Sequence, residues 1–140
     1  MMKRILCIAA FVAVFAGCNR NGEEQKQKID VAGIWELSSV ATKASIGSVQ
    51  VDVYLDFAAG TQFTLYQKIG EGRYTKFTGT YNLDAEAGQL SGKYASGSAW
   101  GPYTAVRDGN NLTLTTPGGK EVDTYKKIEA IPASVTENIY

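Results

Sequence analysis

Nine consecutive residues constrain the fold of this chain most: Val49-Gln50-Val51-Asp52-Val53-Tyr54-Leu55-Asp56-Phe57. Side chains alternate between the two faces of a strand, so Val49, Val51, Val53, Leu55 and Phe57 share one face. Gln50, Asp52, Tyr54 and Asp56 share the other. Wound into a helix, the same run would scatter its apolar residues around the axis. The alternation recurs at 61–69, where Phe63, Leu65 and Ile69 fall together, and strand-like segments follow from 33–42, 74–83, 89–95, 100–107, 111–116 and 121–128. Turns near 43–48, 58–61, 70–73, 84–88, 96–99, 108–110 and 117–120 separate them, and each contains a glycine. Asp108-Gly109 and Pro117-Gly118-Gly119 are the strongest hairpin punctuation.

Connections this short join antiparallel neighbours in sequence order, since a parallel crossover needs about a dozen residues or more. The expected fold is therefore all-β, an eight-stranded antiparallel up-and-down β-barrel, with a sandwich as the alternative. Closure removes two exposed sheet edges that would otherwise invite aggregation. Eight strands enclose an interior just wide enough to fill with side chains or to hold one small ligand. Phe77-Thr78-Gly79-Thr80-Tyr81 and Leu90-Ser91-Gly92-Lys93-Tyr94 repeat one another. Their central glycines permit sharp coiling or the close approach of a neighbour.

The N-terminus reads as an address. Lys3 and Arg4 precede an apolar run at 5–16, shorter than the roughly 20 residues a membrane-spanning helix needs. A basic start, a short apolar middle and small residues before a break form a secretory signal, here 1–17. Phe15-Ala16-Gly17-Cys18 resembles the lipobox of bacterial lipoproteins. That resemblance implies diacylation of Cys18, its exposure as the mature N-terminus, and a bilayer as partner. The family usually has Leu where this chain has Phe15. Two or three acyl chains, at ~0.8 kcal/mol per buried CH₂, anchor a protein stably where one does not. Residues 18–30 form the lipidated N-terminus and a polar tether, 31–128 the barrel domain, and 129–140 a C-terminal tail. Asn19 differs from the Asp that signals inner-membrane retention in many Gram-negative lipoproteins. The implied location is the cell envelope of a Gram-negative bacterium, at the outer membrane. Glu23-Glu24 somewhat resembles acidic export tags.

Gly33-Ile34-Trp35 resembles the G-x-W that opens lipocalin barrels. There the tryptophan covers the closed end and packs against a basic residue of the last strand, a part that Lys126 or Lys127 could take here. Residues 32–128 as a whole are similar to bacterial lipocalin-like lipoproteins: a G-x-W start, Phe57 and Phe63 in adjacent strands, Phe77 to Tyr81, and a closing Tyr125-Lys126-Lys127. The T-D-Y motif of the main lipocalin branch is missing. The paired glycine strands also resemble those of avidin-type barrels, which surround biotin with several tryptophans; this chain has Trp35 and Trp100.

Composition narrows the chemistry. The 140 residues include no histidine, and 14 Lys and Arg balance 14 Asp and Glu. Without histidine, Ser-His-Asp and Cys-His catalysis and His-ligated zinc are excluded. A neutral balance gives no reason to expect nucleic acid. With Cys7 removed in the signal and Cys18 lipidated, no free thiol remains. Asp52 and Asp56 share a face but lie about 13 Å apart along a strand, too far for paired-carboxylate glycoside cleavage. No catalytic residue, metal ligand or cofactor is assigned, and the chain is expected not to be an enzyme.

Aromatic residues remain as the means of recognition. Tyr54, Tyr66, Tyr81, Tyr94, Trp100 and Tyr103 are the candidate pocket liners, each offering a large apolar face and most a hydroxyl. Two functions follow: a membrane-anchored binder of a small apolar or amphipathic ligand, or a filled barrel acting on an unknown protein partner in a structural or inhibitory role. The 129–140 segment, interrupted by Pro132, reads as a strap or a frayed tail without promise of a helix.

Overall fold

The computed structural model describes residues 28–42 and 49–140. The signal at 1–17, Cys18, the tether through residue 27 and the turn at 43–48 lie outside the described residues. Eight strands follow in order: β1 (Gly33–Thr42), β2 (Val51–Phe57), β3 (Gln62–Ile69), β4 (Thr75–Asp84), β5 (Gln89–Tyr94), β6 (Ala99–Asp108), β7 (Asn111–Thr115) and β8 (Glu121–Ile128). Each pairs antiparallel with the next, and β8 returns to β1, so the sheet is a closed barrel as the turn spacing predicts. The sandwich alternative is excluded.

The alternation that predicts β2 also orients it. Val53, Leu55 and Phe57 are buried inside the barrel, and opposite them in register stand Gln67, Leu65 and Phe63 of β3. Asp52 and Asp56 face outward. Asp52 bonds Lys68 at 3.0 Å and accepts from Gln50 Nε2 at 3.0 Å. Burial pulls the Asp52 carboxyl upward, but the hydrogen bonds from Gln50 and Lys68 and the Lys68 charge outweigh it and leave the group below its ordinary range. The pair forms a solvated outer face.

Two glycines let the wall curve. Gly79 pairs with Tyr94, and a Cβ there would lie 2.7 Å from the Phe63 ring. A Cβ on Gly92 would lie 2.5 Å from the Trp100 ring. Both positions are closed to any side chain, as the repeated motif implies. Between β5 and β6 the register slips: Leu90 faces Tyr103 but Gly92 faces Trp100. One residue of β5 thus opposes Gly101-Pro102, a bulge in which proline's missing N–H costs no ladder bond.

The C-terminal segment crosses the outside of the barrel. A one-turn helix, α1 (Ala133–Thr136), begins after Pro132, where proline is tolerated because the first helical N–H groups have no partner within the helix. Ile139 then forms a parallel bridge with Tyr74. Val135 is buried against Tyr66 and Tyr74, with Tyr54, Ile131 and Ile139 packed around them. Of the two possibilities read from sequence, the segment is a strap, and it contains the helical turn that Pro132 had argued against.

Candidate functional site

The two ends of the barrel differ in chemistry. At one end β1 starts and β2 finishes, and Trp35, Leu90 and Leu112 are completely buried. The segment before β1 folds across this end. Val31 is 1% exposed, its carbonyl accepts a 2.8 Å hydrogen bond from Trp35 Nε1, and Ile29 N donates to Ala85 O at 3.3 Å. Part of what reads as tether from sequence is therefore a plug.

The cation on the Trp35 ring is Arg107 of β6, whose Cζ lies 5.3 Å from the ring centroid. Arg107 also donates from Nη1 to Asp30 O at 2.8 Å and from Nε to Gly109 O at 3.0 Å. Lys126 and Lys127, proposed for this part by resemblance, sit differently. Lys126 is opposite Glu36 in register, and Lys127 lies beside Trp35 on the neighbouring strand. The Lys127 side chain passes Gly33, its Cε 3.1 Å from where a Cβ would stand. Arg107 shares the inward alternation of Ala105, which carries its guanidinium to the floor of the barrel. No local pattern marks it, because its partner Asp30 lies 77 residues away.

The other half of the barrel encloses a cavity of about 400 Å³. Leu37, Val51, Val53, Leu55, Phe63, Leu65 and Leu114 give it apolar walls, and Tyr94, Trp100, Tyr103 and Tyr125 give it aromatic ones. Ile69, 62% exposed, stands in the lining where it reaches solvent. Phe63 braces two of the aromatics, with ring centroids 5.8 Å from Tyr94 and 5.0 Å from Trp100. Trp100 and Tyr103 lie 6.3 Å apart. The Trp100 Nε1 atom is buried and finds no acceptor among the described residues.

Of the six aromatics singled out in the sequence, the structure gathers Tyr94, Trp100 and Tyr103 in this cavity. Tyr81 points inward but belongs to the floor: its ring stacks edge-on with Phe57 at 5.0 Å, and its hydroxyl donates to Ala58 O at 3.1 Å. Tyr54 and Tyr66 are outside. They oppose one another across β2 and β3 and lie under the C-terminal strap with Tyr74 and Val135. The Tyr54 hydroxyl donates to Glu36 Oε1 at 3.2 Å; burial, with the Glu36 charge, pushes its pKa up to about 12. Alternation on β2 explains this placement, because Tyr54 shares a face with Asp52 and Asp56.

Four lining residues escaped the sequence reading: Gln67, Glu121, Asp123 and Tyr125. The last three are two apart on β8 and so share its inner face. That alternation was visible, but polar residues at inward positions resemble an outer face. Burial pushes the Asp123 carboxyl above its ordinary range, and the nearby Glu121 charge adds to the shift. Burial also raises Tyr103, with further contributions from Tyr94, Asp123 and Glu121, and raises Tyr125 strongly. Among the described residues no three His, Cys, Asp or Glu side chains gather where a metal could be held.

No family model and no curated protein matches this chain. Solved structures do. The chain is similar to a lipoprotein, YedD, from Klebsiella pneumoniae, at 14% identity and a TM-score of 0.50, over 76% of this chain and 79% of that one. It is also similar to fatty-acid-binding protein 1 of Echinococcus granulosus, at 12% identity and a TM-score of 0.39, over 70% of this chain and 97% of that one. The first likeness shows a shared fold. The protein is an eight-stranded closed antiparallel barrel that shares its fold with that structure.

Proposed function

We propose that this protein is a lipid-anchored, non-catalytic carrier that holds one small apolar or amphipathic molecule in its barrel. The observation that carries the reading is the cavity of about 400 Å³ with apolar and aromatic walls, a size and lining typical of small-molecule sites. A filled barrel acting only through its outer surface would bury side chains there instead. Anchoring rests on Phe15-Ala16-Gly17-Cys18, with Cys18 acylated and the domain held at the outer membrane.

The plug adds an orientation to this reading. The chain enters the barrel at the closed end, through Ile29 and Val31. An anchor at Cys18 therefore tethers the floor to the bilayer and leaves the cavity on the far side. The ligand is exchanged with the aqueous phase or a soluble partner.

Native mass spectrometry of the mature chain, isolated from envelopes without detergent, tests the binding. The expected result is a bound species of a few hundred daltons that Leu114→Trp, projecting an indole into the cavity, displaces. Only ligand-free masses, together with no binding of an apolar fluorescent dye, would refute it. Anchoring is read separately: Cys18→Ala should move the protein from the membrane to the soluble fraction, and retention in the membrane would refute the lipid anchor.

A further inference from the structure

We propose that the cavity takes a cationic amphiphile, an apolar body bearing a protonated or quaternary amine, with the cation seated between the carboxylates of Glu121 and Asp123 and the rings of Tyr103 and Trp100. This rests on the reading of the barrel as a small-molecule binder and names the chemistry of what it binds.

The polar groups of the lining are unevenly chosen. Glu121 and Asp123 both line the cavity, and among the described residues no Lys or Arg does. Glu121 and Asp123 are two residues apart on β8, so their Cα atoms stand about 7 Å apart on the same face of the strand. Neither carboxylate has a salt-bridge partner among the described residues. Asp123 is half-buried, and the Glu121 charge beside it adds to the cost of ionising it; a ligand cation relieves that cost.

The aromatic wall completes the pocket. Tyr103 lies near enough to both carboxylates for their charges to act on its hydroxyl, and the Trp100 ring is 6.3 Å from it. Rings beside carboxylates form the kind of cage that recognises ammonium groups through their π faces. Below it, Val53, Leu55, Phe63, Leu65 and Leu114 offer an apolar sleeve for the rest of the molecule. An anionic amphiphile would bring its charge against Glu121 and Asp123, with no cation in the described lining to receive it.

Three probes of equal chain length decide the matter: decyltrimethylammonium, decanol and decanoate, titrated calorimetrically into the mature chain (residues 18–140 with Cys18→Ser) below their aggregation concentrations. The cation should bind at least tenfold more tightly than the alcohol, and the alcohol more tightly than the anion. In the Glu121→Gln, Asp123→Asn double variant the cation's advantage should fall to within threefold, while decanol affinity stays unchanged and so reports an intact barrel. If decanol or decanoate binds as well as the cation, or the advantage survives in the double variant, the inference is overturned while the carrier reading stands. If none of the three binds, the carrier reading itself fails.

Discussion

Replacing Trp35 by leucine tests whether the closed end is held as the structure describes. The ring is completely buried, its Nε1 donates to Val31 O at 2.8 Å, and Arg107 stands 5.3 Å from its centroid. Loss of a buried tryptophan to alanine costs ~3–5 kcal/mol; leucine keeps roughly half of that apolar volume, which leaves ~2 kcal/mol. The Val31 carbonyl, buried with its residue and now without a donor, adds ~1 kcal/mol. The expected cost is therefore ~3 kcal/mol, a large part of the ~5–15 kcal/mol that holds a domain of this size. At ~4 °C per kcal/mol the melting temperature should fall by about 12 °C.

Arg107→Gln should cost ~1–2 kcal/mol, the worth of a half-exposed cation–π contact and of hydrogen bonds to Asp30 and Gly109 carbonyls. Because Trp35 and Arg107 share one contact, the double variant should lose less than the sum, with a coupling of ~0.5–1 kcal/mol. Urea titrations followed by far-ultraviolet circular dichroism measure all three variants. In Trp35→Leu the remaining Trp100 also reports separately on the cavity half. A cost for Trp35→Leu below ~1 kcal/mol would show that the ring is not a buried floor. Strict additivity with Arg107→Gln would show that no clamp joins the two. Neither residue lines the cavity, so ligand affinity should persist wherever the variants remain folded.

Two further outcomes are expected. Gly92→Ala places a methyl 2.5 Å from the Trp100 ring and should destabilise the barrel by ~1–3 kcal/mol, with a shift in Trp100 emission; unchanged melting would mean that β5 and β6 do not approach as described. Asp123→Asn removes a carboxylate whose folded pKa is raised by burial and by Glu121. Since the folded state holds that proton more tightly than the unfolded chain, wild-type stability should gain as pH falls through the raised value towards the ordinary carboxylate range. The variant should be more stable than wild type at pH 7 and lack that gain. Urea melts at pH 4 to 7 check this, with Glu121, Tyr103 and Tyr125 as the other titratable groups around the site; a wild type that gains nothing on acidification would refute the burial of Asp123.

The strands were legible in the sequence because their signal is local. Alternation at Val51, Val53, Leu55 and Phe57 needs only the pleat, and a glycine at each turn needs only the backbone, so every boundary falls within two residues of its expected place. Gly33-Ile34-Trp35 likewise announced a buried tryptophan at the start of β1. The cavity was only half legible, because its residues are brought together by register between strands. Tyr54 and Tyr66 looked like liners by residue type, yet the alternation that makes β2 a strand puts Tyr54 outside with Asp52 and Asp56.

Trp100 and Tyr103 show the opposite case. One is even-numbered and one odd, so a regular strand would send them to opposite faces, and only the bulge at Gly101-Pro102 turns both towards the cavity. Gly101-Pro102 changes the phase of the alternation within a continuous strand. Glu121 and Asp123 are hidden in the sequence for a related reason. Polar alternation normally marks the solvent side of a strand, and here it marks the cavity side, because the wall at that height borders open space rather than packed side chains, with Glu121 exposed and Asp123 half-buried. Departures from the rule that apolar residues face inward thus coincide with the place where the barrel is hollow. A wall built for packing alone would have used an apolar residue at position 123, since the half-buried Asp123 carboxylate costs desolvation. The proposed cationic ligand would offset that cost, which links the carboxylate least expected in the barrel wall to the function proposed for the cavity it lines.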